Sequence, residues 1–525
     1  MARVKFTNAI YPLLAVLLAG FVVAPLEYPG AFQSHTGLLA YYNLIDLDQH
    51  PNLGWAPILG QTFDVFRTEG VLPYLIAEIF HRIGASYLAS IKLVYALAWI
   101  MSGLAMYALA RKFFSHAGAL LAATVYVYLP FHIATIYVRG AFAESFAWAL
   151  FPLILLTLLR HQTAYGLLLT ALLFLTQPGI AILFSLFTVC VALAFRPPSA
   201  VLRPILPGLA LGTLFYLPTI LRYGANIARD RFNPAFVHPF QLFSALWDYG
   251  ISTGSYLDRF PFQLGVVPVG LVIIALVLAT QSNAPTNIRR IVLVFLGAVI
   301  VLALFTFEIT APLWTLIGVF VTYPWQLLAI VGLALAIVAG SVIELDQRFT
   351  QPAMLAFFVA LPVVASYGYL SPRFLDVNPL RPPIAIFNHN EIALWDYRIV
   401  GPLRHGATLR VYLTWQALRP VDYDYTIFLH AVHEDGQTYG ENDAKPLDGA
   451  LPTLKWTPGQ VITDTQTIQI DVEGPREGYH LEFGMYNAAT GRRAFTETGA
   501  DHLILPRPGD PAPIISEQLP PNKTP

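Results

Sequence analysis

Two carboxylates one residue apart, Asp46 and Asp48, stand among Leu44, Ile45 and Leu47. An acid in apolar surroundings is a side chain able to take a proton from an attacking hydroxyl. Further along, Arg139 and Glu144 are five apart in YVRGAFAESFAW, where an apolar stretch begins. A cation there suits a phosphate, and the pair also reads as an ion pair closing the end of a helix. The loop holding Asp46 and Asp48 carries Asp64, Glu69, His35 and His50 as well. A second polar loop offers Arg222, Arg229, Asp230, Arg231, Asp248, Asp258 and Arg259, and TYPWQLL brings Tyr323 and Trp325. Each has a plainer reading too. Loop carboxylates are mostly solvated, and an aromatic pair next to an apolar run serves as an interfacial anchor. No phosphate loop, dinucleotide fingerprint, zinc spacing or serine elbow is present, so ATP, dinucleotide and hydrolase-triad chemistry have no support. Cys190, the single cysteine, lies inside an apolar run, which leaves no disulfide framework or cysteine metal site.

The elements that must position these residues are apolar. Crossing the hydrocarbon layer takes about 20 mainly apolar residues. Eleven candidates fall near 7–27, 89–110, 117–137, 143–159, 164–176, 179–195, 204–221, 264–280, 291–307, 323–342 and 353–370. Gln177-Pro178 separates a short fifth stretch from the sixth, as in a tight or broken hairpin. Basic residues set the orientation. With Arg3 and Lys5 inside, alternation places Arg111-Lys112, Arg160, Arg196 with Arg203, Arg289-Arg290 and Arg348 inside as well. The first stretch reads as a retained anchor, since VVAPLEYPG offers no small-residue cleavage site. Two long loops, about 28–88 and 222–263, then face outward. VLPYLIAEIFHRIG (71–84) carries Glu78, His81 and Arg82 at helical spacing, the pattern of a helix lying in the interface.

Charge divides the chain in two. Residues 1–370 hold 18 Lys+Arg and 13 Asp+Glu, and residues 371–525 hold 13 and 19. The first part is therefore +5 and the second −6, two solvents in one chain. Neither part has the basic patterning that nucleic acid requires. After 370 the pattern alternates. TLRVYLTWQAL puts Leu409, Val411, Leu413 and Trp415 on one face, and 424–432, 461–472 and 479–487 repeat it between Gly-containing turns. This predicts an antiparallel β-sandwich over 371–505, followed by a proline-rich, disordered tail at 506–525. Trp456 and several tyrosines are candidates to stack on sugar rings, or ordinary sandwich core and rim aromatics. The expected architecture is a polytopic α-helical membrane domain, 1–370, with a C-terminal sandwich beyond the outer face.

The run from GWAPILGQTFDVFRTEGVLPYLIAEIFHRIG through IKLVYALAWIMSGLAMYALARKFF to YVRGAFAESFAWALFPLILL resembles bacterial membrane proteins of the GT-C glycosyltransferase class. Within that class it is most similar to the subgroup labelled 6-pyruvoyl-tetrahydropterin-synthase-related membrane proteins. FQLGVVPVGLVI (262–273), TYPWQLL, WQALRPVDYDYTIFLHAVHEDGQ and LPTLKWTPGQVITD resemble its later segments. The resemblance spans nearly the whole chain through loose motifs.

It implies transfer of a sugar from a polyprenyl-phosphate carrier to a glycan, lipid or protein acceptor, on the outer face of a bacterial cytoplasmic (inner) membrane. In that class an acid of the first outer loop acts as base or metal-assisted activator, so a divalent metal ion is one expected helper. Asp46 and Asp48 take the acid's role here. Arg139 and Arg222 take the phosphate's cations, and Glu144, Asp64, Tyr323 and Trp325 line the pocket. Two departures stand out. After the first span the chain reads FQSHTGLLAYY, with Ser34 and His35 where the class has an Asp. Pro324-Trp325-Gln326 also lacks the cation of the class's Pro-Trp-Arg. The alternative is a non-catalytic relative that binds, flips or assembles lipid-linked sugars.

Overall fold

The structure is a computed structural model. It describes residues 2–28, 30–36, 39–49, 70–223, 233–250, 252–281, 284–318, 321–374, 383–388, 391–419, 421–456, 460–496 and 499–506. The chain forms two compact units, residues 1–32 with 43–374, and residues 33–42 with 375–525.

The first unit is helical, and each of the eleven expected stretches is helix. Seven are long and apolar enough to cross a membrane: Ala9–Glu27, Tyr87–Ala110, Phe142–Leu159, Pro198–Leu217, Thr286–Phe305, Pro324–Leu345 and Pro352–Tyr369. His116–Val127 and Pro130–Tyr137, bent by 42°, are together long and apolar enough to cross as one broken span or to turn back as a re-entrant loop. Thr163–Thr176, Pro178–Leu193 and Val266–Ala279 are apolar but shorter. The most apolar 18 residues of Pro324–Leu345 are all buried, as are 94% of those of Phe142–Leu159, so these two form the centre. Ala9–Glu27, Thr286–Phe305 and Pro352–Tyr369 leave most of their apolar surface open, as lipid-facing helices do. The chain is thus a polytopic α-helical membrane protein.

The bend at 128–130 has a cause. Pro130 has no N–H to give the Tyr126 carbonyl four residues back, which would leave an acceptor unpaired at membrane depth. The ring of His132 fills the gap, with Nδ1 bonded to Tyr126 O at 3.0 Å. Ser366 donates to Tyr128 O at 2.7 Å and stabilises the same break from another helix.

A close seam joins His116–Val127 to the buried 324–345 stretch. A Cβ added at Gly118 would stand 2.7 Å from Glu344 Oε1 and 3.0 Å from Gly340 O. One added at Gly340 would stand 2.7 Å from Ala122 Cβ. Small residues are what allow two helices to meet this closely. Glu344 also accepts from the backbone N–H and the hydroxyl of Ser115, the N-cap of His116–Val127. A carboxylate is favourable at that helix end.

Basic loops gather at one end of the bundle. Arg196 donates to Leu159 O, Arg290 lies over Phe195 at 5.6 Å, and Phe195 packs on Phe113 at 5.8 Å. Arg139, Glu144, Tyr323 and Trp325 belong to the opposite ends of the same helices.

The second unit holds two antiparallel sheets. One has the order β1-β2-β3-β6, with β1 Ala385–Phe387, β2 Ile392–Val400, β3 Thr408–Ala417 and β6 Val461–Gln469. The other has β5 Thr438–Ala444, β4 Tyr425–His433, β7 Tyr479–Asn487 and β8 Arg492–Arg493, with β9 Leu503–Leu505 also on β7. Leu409, Val411, Leu413 and Trp415 face inward with Ile427, Leu429, Leu481, Phe483 and Met485, one apolar layer between the sheets. Trp456 takes the second of its two sequence readings, that of a core aromatic. It is 3% exposed, donates to Leu451 O at 3.0 Å and packs by Trp415, so it offers no face to a sugar. Position 507 onward lies outside the described residues.

Candidate functional site

Arg139 and Glu144 meet because a tight turn reverses the chain between Pro130–Tyr137 and Phe142–Leu159. Gly140 takes φ +65°, a conformation that favours glycine, and Tyr95 OH ties its carbonyl at 2.9 Å. Glu144 then lies in the first turn of its helix, where the N-terminal dipole favours a carboxylate. Arg139 grips it through two parallel bonds, Nη1 to Oε1 and Nη2 to Oε2, both 2.7 Å. The two side chains are 12% and 3% exposed, so this is a nearly water-free ion pair.

Pro324–Leu327 supplies the other partners. Gln326 Nε2 donates to Glu144 Oε2 at 3.1 Å, while its Oε1 accepts from the backbone N–H groups of Thr322 and Tyr323. Trp325 lies under the Arg139 guanidinium, 4.7 Å from Cζ to ring centre. Tyr323 stacks on Trp325 at 4.7 Å, and Phe260 packs on it at 5.0 Å. Four expected residues, Arg139, Glu144, Tyr323 and Trp325, therefore form one cluster. Gln326, which in sequence stands only for a lost cation, is its connecting member.

Asp48 sits in a second cluster. Its helix, Leu39–Gln49, brings it to Leu72–Arg82 and the start of Tyr87–Ala110. Tyr87 OH donates to Asp48 Oδ2 at 2.7 Å. His81 Nε2 lies 3.7 Å from Oδ2 and Arg82 Nη2 lies 3.7 Å from Oδ1. The His81 ring stacks on Tyr87 at 3.9 Å, and its Nδ1 bonds Ala85 O at 2.8 Å, which points Nε2 toward the carboxylate. Glu78 holds Arg82 from one turn back. The Asp48 side chain remains 28% exposed, reachable by a solute, with the Arg82 guanidinium and the His81 ring beside it. In sequence, His81 and Arg82 are legible only as charges on an interfacial helix. That helix leaves Leu75, Ile79 and Ile83 exposed in a stripe, with Tyr74, Ala77 and Glu78 buried on the other side.

No hydrogen bond or ion pair among the described residues joins Asp48 to Arg139 or Glu144. Packing does relate their neighbourhoods. Asn43 donates to Tyr74 OH at 3.1 Å, and Tyr74 packs edge-on against Phe142 at 4.8 Å, two residues before Glu144. Beyond Trp325 a cleft of about 200 Å³ is lined by Phe240, Tyr256, Leu257, Arg259, Phe260 and Phe262, among others. Asp258 in its wall is occupied by Thr253 and Gly254, and Arg259 reaches Asp248 at 3.4 Å.

Asp64 lies outside the described residues, as do Glu69, His50, Arg229, Asp230 and Arg231. Asp46 and Arg222 fall within the helices Leu39–Gln49 and Pro198–Tyr223, but their side chains are outside the described part. Among the described residues no group of three or more His, Cys, Asp or Glu side chains could hold a metal ion.

No family profile and no curated protein matches the chain. Among solved structures it is similar to the arabinosyltransferase EmbB from Mycobacterium smegmatis, at 10% sequence identity and a TM-score of 0.32. The match covers 89% of this chain and 64% of that one, so the chain spans less than two thirds of EmbB's length.

Proposed function

We propose that the chain is a GT-C-like membrane glycosyltransferase, moving a sugar from a polyprenyl-phosphate carrier to an acceptor hydroxyl at the outer membrane face. The observation that carries this reading is the Asp48 cluster. It is a partly exposed carboxylate oriented by Tyr87 OH, with His81 and Arg82 beside it, on a helix whose apolar stripe suits lipid. Asp48 takes the acceptor's proton as its oxygen bonds to the anomeric carbon. The bond from that carbon to the carrier's phosphate oxygen breaks, and the electron pair leaves with the phosphate. The Arg82 guanidinium offsets that charge, with the His81 ring beside it.

We assign this phosphate role to Arg82 rather than Arg139, whose fork is filled by Glu144. Arg139, Glu144 and Gln326 instead act as a rigid brace that fixes Trp325. The gathering of Arg196, Arg290 and the 113–114 turn at the opposite end supports placing that end in the cytoplasm of a bacterial inner membrane. The resemblance to the pyruvoyl-tetrahydropterin-related subgroup is part of this proposal.

The test incubates purified full-length protein with radiolabelled polyprenyl-phosphate sugars and follows label into an acceptor fraction. Transfer by the natural protein, and a fall of about 10²–10⁴-fold in Asp48→Asn, is the expected result. Undiminished turnover in Asp48→Asn overturns the site. Saturable binding of the labelled donor without transfer by the natural protein would favour the scaffold reading instead.

A further inference from the structure

We propose that Arg196 and Arg290 form a headgroup site for an anionic phospholipid, at the end of the bundle that carries the basic loops. The short connection 194–197, between Pro178–Leu193 and Pro198–Tyr223, brings them together. Arg290, near the start of Thr286–Phe305, donates to Ala194 O and lies over the Phe195 ring at 5.6 Å. Arg196, two positions after Ala194, donates to Leu159 O at 2.5 Å. Phe195 packs on Phe295 at 6.4 Å and on Phe113 at 5.8 Å, which fixes the connection against two other segments.

These contacts orient the two side chains without neutralising them. Each guanidinium meets a main-chain carbonyl, not a carboxylate. The carbonyls close the helices Phe142–Leu159 and Pro178–Leu193, whose dipoles supply about half a negative charge each. About half of each full positive charge is left over. Arg289 beside one arginine, and Arg203 on the helix that follows the other, add two exposed cations. Among the described residues none of these four takes part in an ion pair. Arg348 and Arg139, by contrast, are held by Asp346 at 2.6 Å and Glu144 at 2.7 Å. A guanidinium has five donors, and those not used on carbonyls suit the oxygens of a phosphodiester.

The helices that run from this end into the membrane offer surface to the lipid's tails. Leu186, Cys190 and Leu193 lie on one exposed face of Pro178–Leu193, at spacings of four and three. Leu293 and Val301 continue the face of Arg290 along its own helix, with open space beside Gly297 between them. A phosphate on the arginines thus comes with apolar surface for the chains attached to it, which a free phosphate has no use for. Basic pockets between helices are where anionic headgroups collect on the cytoplasmic side of a membrane. Lipid held here is independent of sugar transfer at Asp48.

The experiment delipidates the full-length protein in non-ionic detergent, then titrates phosphatidylglycerol or phosphatidylcholine of identical acyl chains and follows bound lipid by native mass spectrometry. The expected result is preferential binding of phosphatidylglycerol, weakened about fivefold in Arg196→Gln, about fivefold in Arg290→Gln and roughly 25-fold in the double variant. Arg348→Gln, whose charge Asp346 already balances, should bind as the natural protein does. Excess glycerol phosphate should leave the lipid in place. Displacement by glycerol phosphate, equal affinity for the two lipids, or an unweakened double variant overturns the proposal. Photo-crosslinking of the natural protein decides independently of any folding defect in the variants. Phosphatidylglycerol with a reactive group in its head should label 193–203 and 286–296, and absence of label there removes the site.

Discussion

Gln326 donates its side-chain amide to Glu144 across 182 positions of sequence, at 3.1 Å. With both carboxylate oxygens already taken by Arg139, that bond completes the acceptor capacity Glu144 can use in so dry a place. The brace therefore stands or falls as a unit.

Removing one partner of a buried ion pair leaves the other charge uncompensated, at about 3–5 kcal/mol. Arg139→Ala should lower stability by that amount, and Arg139→Lys by somewhat less, because an ammonium cannot reproduce the fork. Gln326→Ala should cost about 1–3 kcal/mol through the donors and acceptor it leaves unpaired. Thermal unfolding in detergent measures all three. A neutral Arg139→Ala would mean that the pair contributes nothing to the fold.

The Gly118–Gly340 seam predicts a different failure. A methyl at either position meets atoms at 2.7 Å, so Gly118→Ala and Gly340→Ala should each destabilise by about 1–3 kcal/mol through overpacking. Their double variant should depart from additivity, since a methyl at position 340 would also stand 2.8 Å from Gly118 O. Additive losses in the unfolding midpoints would show that the two helices part without coupling.

His132→Phe tests the repair at the bend. Phenylalanine keeps a ring against Trp148, which stacks on His132 at 3.9 Å, but gives no hydrogen to Tyr126 O. A loss of about 1–3 kcal/mol is expected for the stranded carbonyl. Unchanged unfolding would assign the bend to other contacts.

Asp248 predicts a pH response. Its carboxyl is held below the usual range chiefly by the Tyr249 backbone N–H, with help from Arg259 and Arg373. A depressed folded value stabilises the loop above the unfolded pKa of about 4 and loses that contribution as pH falls through the lower, folded value. Hydrogen exchange over 244–263 should therefore speed up below about pH 4. Asp248→Asn should show faster exchange already at neutral pH and no such step.

Much of the helical framework is legible in the sequence because lipid imposes a simple rule, long apolar runs with basic loops. Gln177-Pro178 even marks the break between Thr163–Thr176 and Pro178–Leu193. The bend inside 117–137 is not legible, since Pro130 interrupts no apolarity. In the sandwich, period-two alternation reveals β3, β4, β6 and β7, while the short β1, β8 and β9 carry too few residues to show a period. The pairing of Arg139 with Glu144 is open to a local reading because five positions separate them. Gln326 with Glu144, and Asp48 with His81 and Arg82, depend on contacts between distant segments that spacing does not encode.

At the seam between Gly118 and Gly340 the two backbones are nearly in contact, and Glu344 closes the end near Ser115. No hydrocarbon tail fits through a gap of that width. Because Pro324–Leu345 forms the buried centre of the bundle, the seam is a shut internal joint that pins the core helix to its neighbour.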